Sequence, residues 1–451
     1  MQKDFVANKL TFGIAAHPVR CGNNLVIGGG EVYPEINFTL PPMMLDHQTW
    51  PTAVSHYEQI AAMVVRTARR LKLPGLVVEF ELLPPMTENP EWGAEVTRLL
   101  AKALRDAYET DGLKSALRVT PIDLRDAIRP PQLRSGAMWD TMKRSFIACA
   151  TAGADILSIE SVGGKEIHDE AMMYGDIAGI IFALGVLAPR DMGFLWDEIV
   201  RISKDHEVIP GGDSACGFAN TAMQLASQSM LPEVLAAVIR AASCVRSLVA
   251  VERGAVGPSK DCAYEGPVLK ALTGIPISME GKSASCAHFS PVGNITAAMC
   301  DLWSNESVQN VRLLSGYAPE AFLELLAYDC RLFNIALASG TSEVYQKMLV
   351  DSDALLSPQA LILTPSATLR IAASVLAEKS WYGKTVAAAR MGFAIISEAA
   401  ADEKIVLPKP ERAWLSRIER GLDSLPENEE TLIASMKESY GSKFDPRSYG
   451  L

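Results

Sequence analysis

Between about residue 70 and residue 315, short apolar runs alternate with longer helical patterns, and this alternation restricts the possible folds more than any other feature. The runs are GLVVEFE (75–81), ALRVTPID (116–123), ADILSIES (154–161), EVIPGG (207–212), SLVAVERG (247–254), PISMEGK (276–282) and, more weakly, NVRLLSG (310–316). Each is apolar without clean alternation, the pattern of a parallel strand covered on both faces. Amphipathic segments of helix length lie between them, for example 139–152, 170–187 and 232–244. An N-terminal run at 35–40 (EINFTL) brings the count to eight. Repeated βα units with right-handed crossovers close into a barrel or open into a doubly wound sheet, and eight of them favour the barrel. The reading is an α/β protein, a (β/α)8 TIM barrel over residues 1–316.

After residue 317 the strand patterns fade. Segments 319–337, 342–349, 369–378, 383–401 and 411–422 read as helices, interrupted by Pro358 and Pro365 and by a loop at Pro408 and Pro410. Residues 317–451 are therefore read as a helical extension packed on the barrel or on a dimer partner. The last 26 residues are polar with one short helix, a candidate docking tail.

A formal charge of −11 and a pI of 5.2 argue against phosphate backbones and anionic lipid as partners. No apolar signal core follows the opening MQKDFVANKL, and the longest apolar run, 177–188, falls short of the ~20 residues a bilayer requires. A cytoplasmic protein without membrane contact is expected. The eight cysteines are dispersed and form no CxxC pair, which speaks against a disulfide framework and a zinc finger. Any metal site must be assembled from distant positions.

Barrel enzymes carry their reactive groups at the C-terminal ends of the strands. With EINFTL as the first strand, the fourth ends in IESVGGKE and Glu160, the fifth leads into GGDSACGFAN and Cys216, and the sixth into GAVGPSKDCAYEGP and Cys262. A carboxylate and two thiols at three successive strand ends suit zinc, and three ligands leave the open fourth position of a catalytic site. Bland readings compete: a lone cysteine packs as a small hydrophobe, and Glu160 could pair with Lys165. Cys149, Cys244, Cys300 and Cys330 lie in helical patterns and are assigned to the core, whereas Cys286 competes as a sulfur ligand. Gly28, Gly29 and Gly30 look like a phosphate loop, but VYPEINF follows and no helix opens there, so that reading is rejected. The histidines form no HxH or HExxH arrangement, and His288 lies nearest a strand end. Glu79 and Glu81 share a face inside the barrel, where ion pairing is favoured over acid–base work because the interior is packed with side chains.

The strings VYPEINFTLPPM, SIESVGGKE, GGDSACGFANTAM, KDCAYEGP and SMEGKSASCAHFSPVGN resemble the zinc-containing, methanol-activating subunit of the methanol:corrinoid methyltransferases. The likeness runs over about residues 10–450 with order and spacing kept. It implies a barrel, a dimeric core, and a zinc ion whose ligands fall on Glu160 in SIES, Cys216 in SACG and Cys262 in KDCAYEG. It also implies an activity: methyl transfer from methanol to Co(I) of a corrinoid, with zinc as the Lewis acid at the alcohol oxygen. Two thiolates and a carboxylate give the zinc site a formal charge of −1, so a neighbouring donor or acid is expected to help the leaving oxygen. Asp213, Lys260 and Asp261 are near in sequence, with solvated or structural roles equally open. None of His17, His47, His56, His168, His206 and His288 sits in a DxHxxG corrinoid motif, so the cobalt must come from a partner protein. Two alternatives stand beside this reading. One keeps the fold and zinc chemistry but acts on another methoxylated compound or small alcohol. The other is a non-catalytic scaffold whose structural zinc is closed by Cys286 or His288.

Overall fold

The structure, a computed structural model, describes residues 10–451. Its centre is a parallel sheet of seven strands: Tyr33–Thr39, Gly75–Glu81, Lys114–Thr120, Ile156–Leu157, Ile209–Pro210, Ser278–Glu280 and Leu302–Val308. The first five pair in sequence order, and Leu302–Val308 pairs with both Tyr33–Thr39 and Ser278–Glu280. Two edges remain, and the extended residues 255–259 join them. The N–H groups of Val256 and Gly257 donate to Pro210 and Gly211 (both 2.9 Å), and that of Ser259 donates to Pro276 (3.3 Å). The sheet thus closes into an eight-membered barrel with helices outside, as the sequence predicts.

Two strand positions differ from the sequence reading. The run 247–254 is the end of the helix Glu233–Arg253, and the sixth barrel position is the segment after it. That helix is buried on nearly every face from Val234 to Ala250, so no polar stripe marks its helical period, and β-branched residues near its end imitate a strand. The eighth strand is Leu302–Val308, whereas 310–316 contributes to a small hairpin, Arg312–Leu313 with Gly316–Tyr317. The true strand, LWSNESV, is hard to see in the sequence because Ser304 and Glu306 make its inward face polar.

The N-terminal hairpin, Ile14–Cys21 with Leu25–Gly29, closes the floor of the barrel. Its Cys21, Leu25 and Ile27 pack against Tyr33, Val77 and Ala116. The glycines at 28–30 belong to this hairpin and its exit, far from any helix start. Above the floor the filling turns polar. Arg118, fully buried, reaches Glu35 at 2.8 Å, Ser158 at 3.0 Å and the carbonyls of Pro258 and Ser259 at 3.1 and 2.9 Å. One guanidinium therefore ties the third strand to the first, the fourth and the irregular sixth position.

The helix Ala318–Ala338 lies across the first and last strands, the place of the eighth barrel helix. The helix Trp381–Ala401 packs along Glu233–Arg253, which explains the burial of the latter. Two helical stretches, Ile177–Asp205 and Glu233–Arg253, are long and apolar enough to cross a bilayer, but 83% and 94% of their apolar windows are buried within the protein. The tail does not project. Its helix Glu429–Tyr440 and the turn Pro446–Tyr449 fold back on the same chain through Tyr440 to Asp176 (2.8 Å) and Tyr449 to Glu166 (2.6 Å).

Removing one partner of a buried ion pair strands the other, a loss of about 3–5 kcal/mol. Arg118→Met should destabilise the fold by that amount, and the double variant Glu35→Gln with Arg118→Met should recover part of it. Equal losses in the single and double variants, measured by equilibrium unfolding, would show that Arg118 acts through packing alone.

Candidate metal centre

Glu160 follows the fourth strand in a turn that the surrounding charges hold at several points. Ser161 N–H donates to Asp213 (3.2 Å) and Val162 N–H to Asp123 (3.1 Å). Asp123 and Asp191 both grip the buried Arg125 at 2.7 Å. After the fifth strand, Gly211 and Gly212 pass so close to their neighbours that added Cβ atoms would lie 2.8 Å from Ile156 and 3.0 Å from Ser259. This close passage brings Cys216, the first residue of a helical turn ending at Asn220, to the barrel mouth. Cys262 follows the irregular sixth segment.

These three residues converge. One carboxylate oxygen of Glu160 and the sulfurs of Cys216 and Cys262 all lie within 4.8 Å of one another, with Cys262 Sγ 2.8 Å from Glu160 Oε1. A tetrahedral zinc with bonds of about 2.3 Å to sulfur and 2.0 Å to oxygen needs donors about 3.5–3.8 Å apart, so small side-chain shifts suffice. Donors already surround the sulfurs. Ser214 Oγ is 3.1 Å from Cys262 Sγ, and Asn220 Nδ2 is 3.6 Å from Cys216 Sγ.

Without a cation this cluster holds protons. Burial, partly offset by Lys260, pushes Glu160 up to about 7. A hydrogen bond from Cys262 to Cys216 favours the Cys216 thiolate, but burial and Glu160 outweigh that and push the thiol up to about 11. Burial raises Cys262 as well. Donors that keep their protons only while no cation is present fit a divalent metal, because binding displaces those protons.

Lys260 stands beside the trio, fully buried, with Nζ 3.0 Å from Glu79, 2.5 Å from both Glu81 and Asp261, and 3.7 Å from Glu160. Its ammonium already fills the second acidic cluster, Glu79, Glu81 and Asp261, which therefore needs no metal. The interior carboxylates thus make ion pairs, as their sequence position suggested. Asp261 also accepts from Ser304 at 3.0 Å.

The remaining candidates separate clearly. Lys165 pairs with Asp169 (2.7 Å) and donates to Gly217 O (2.8 Å), leaving Glu160 free of it. Asp213 is a buried brace for Ser161, Ser214 and Trp196. His288 faces Glu280 at 3.4 Å, and that carboxylate raises the imidazole's affinity for its proton. Cys286 is exposed, lining a separate cavity of about 490 Å³ beside Phe289 and Gln359. Cys149, Cys244 and Cys330 lie in helices, and Cys300 follows a short turn instead. No fourth donor joins the trio among the described residues. Sequence reasoning missed Glu306, on the polar face of the last strand. Its side chain is exposed at the mouth, where partial desolvation and the charges of Glu81, Asp261 and Glu280 push its carboxyl above the usual range.

The chain matches the family described as the methanol-cobalamin methyltransferase B subunit over residues 3–450. It is 36% identical to the methanol–corrinoid protein co-methyltransferase of Methanosarcina barkeri, over 98% of this chain and 97% of that protein. The fold superposes with a TM-score of 0.94 and 36% identity on a chain of the crystal structure of the methanol:cobalamin methyltransferase complex MtaBC from Methanosarcina barkeri, covering 99% and 98% of the two chains.

The geometry predicts which thiols matter. Should zinc occupy the trio, Cys216→Ala would lose it and Cys286→Ser would retain it. Metal analysis decides, and zinc lost as completely from Cys286→Ser as from Cys262→Ser would rule out an open three-ligand site.

Proposed function

Because the chain belongs to the methanol-cobalamin methyltransferase B subunit family, we propose that it moves the methyl group of methanol to the corrinoid of a separate protein, using zinc held by Glu160, Cys216 and Cys262. The observation that carries this reading is the convergence of one carboxylate and two thiols at the barrel mouth, with no fourth donor among the described residues. Zinc would supply the Lewis acidity that a poor leaving group such as hydroxide requires. The chain's own groups do the rest. Ser214 and Asn220 steady the sulfurs, and Lys260 balances the carboxylates behind them. Glu306 stands on the mouth end of the last strand, where partial desolvation and neighbouring acids raise its carboxyl above the usual range, and we take it as the acid for the departing oxygen, which would leave as water once the carboxyl proton is transferred. Glu306→Gln should lower kcat by about 10²–10⁴-fold while zinc stays bound. An unchanged kcat would remove Glu306 from the chemistry.

The mouth also suits a partner that must bring a cofactor close and exclude water. Exposed apolar side chains stand on its loops, among them Met44 after the first strand, Phe289 after the seventh and Leu314 after the eighth. These are the contacts proposed for the corrinoid protein. A second surface carries an apolar stripe: Leu325, Tyr328, Leu332 and Ile335 share an exposed face of Ala318–Ala338, next to the exposed Val344 and Met348. We assign it to a second copy of this chain, giving the dimeric core. The function is tested with the isolated corrinoid protein, reduced to Co(I), and a panel of methyl donors. Methylation from methanol well above that from other alcohols and methoxylated compounds is expected, and a stronger response to one of those would reassign the substrate. Leu332→Asp with Ile335→Asp should yield a monomer by sedimentation, and an intact dimer would place the interface elsewhere.

A further inference from the structure

We infer that Tyr449 is a positioning residue for the metal centre, acting through the glycine turn that follows Glu160; this rests on the zinc reading above. That turn is held only in part by its own backbone. A Cβ on Gly163 would lie 2.3–2.4 Å from the Asp191 carboxyl, and one on Gly164, at φ +88°, would lie 2.9 Å from the carbonyl of Ala183. Two successive residues therefore carry no side chain; the Lys165 amide closes on Val162 O at 3.0 Å, but the Gly164 amide takes its acceptor from elsewhere in the chain.

Tyr449 supplies it. Its phenol oxygen accepts from Gly164 N–H at 2.9 Å and donates its own proton to Glu166 Oε1 at 2.6 Å. The two bonds clamp either side of Lys165, whose ammonium reaches Gly217 O, the residue after Cys216. A single hydroxyl is thus linked to the loops of two metal ligands, although it lies 289 positions beyond Glu160 in the chain. Packing fixes the phenol firmly. Tyr449 is 1% exposed, its ring sits 6.2 Å from that of Phe444, and Phe444 packs on Phe182 at 5.5 Å. Ser448 adds a hydrogen bond to Pro131 O at 3.2 Å.

Partners that orient a ligand from behind typically carry about 10–100-fold of metal affinity. Tyr449→Phe keeps the ring and its packing and removes only the hydroxyl. Tyr440→Phe is the matched control, since it deletes a tail hydroxyl that donates to Asp176 at 2.8 Å, away from the metal loops. Zinc affinity of the full-length protein would be measured by competition with a chelator, together with the unfolding midpoint of each metal-free variant. Both variants should lose similar stability, while only Tyr449→Phe weakens zinc, by about 10–100-fold. Zinc affinity unchanged in Tyr449→Phe, or weakened equally in both variants, would overturn the inference while leaving the zinc site itself standing. Failure of the wild-type chain to bind zinc would instead sink the zinc reading and this inference with it.

Discussion

Lys260 places one ammonium within 3.7 Å of four carboxylates, and the floor of the functional site is built around that contact. At an effective dielectric of 20, each contact near 3 Å is worth about 5 kcal/mol before desolvation, so a buried lysine here is retained only because several anions share it. The anions still outnumber the cations. Glu35 has Arg118, but burial raises Glu35 and Glu79 above the usual carboxylate range despite their partners. The trio of Glu160, Cys216 and Cys262 sits directly against this excess of acid. A divalent cation held by the trio would relieve it by replacing protons, which gives the proposed metal site a physical reason beyond the identity of its three residues. Lys260 also lies two residues before Cys262, so the segment that balances the charge delivers a ligand as well.

The barrel turns this arrangement into a funnel with one open end. The N-terminal hairpin seals the floor with Cys21, Leu25 and Ile27, and Arg118 locks the layer above it. Only the loops after the strands are free to shape an entrance. Two of the trio follow very short strands, Ile156–Leu157 and Ile209–Pro210, and the third follows a segment that makes only a few barrel hydrogen bonds. Where regular pairing stops, buried side chains take over: Asp123, Asp191 and Asp213 hold the turn after Glu160 in place of a ladder. Ligand geometry is therefore a property of polar packing more than of the sheet.

Much of this was legible in the sequence, for identifiable reasons. The barrel showed in repeated apolar runs because parallel strands are covered on both faces. The three residues that converge at the mouth could be picked out because strand ends are where barrel chemistry sits. What stayed hidden lacked a local pattern. SLVAVERG reads as a strand because its helix is buried all round, and LWSNESV does not because Ser304 and Glu306 point into the barrel. Lys260 could not be assigned because its partners come from the second and fourth strands. Tyr449 had no local sign at all, since its two contacts lie more than 280 positions away.

The proposed zinc site is open, with two sulfurs and one protein oxygen. X-ray absorption on the zinc-loaded protein measures that ligand set directly. Two sulfurs at about 2.3 Å and two lighter atoms at about 2.0–2.2 Å, one from Glu160 and one exchangeable, are expected. A shell of three or four sulfurs, or one containing imidazole, would contradict it.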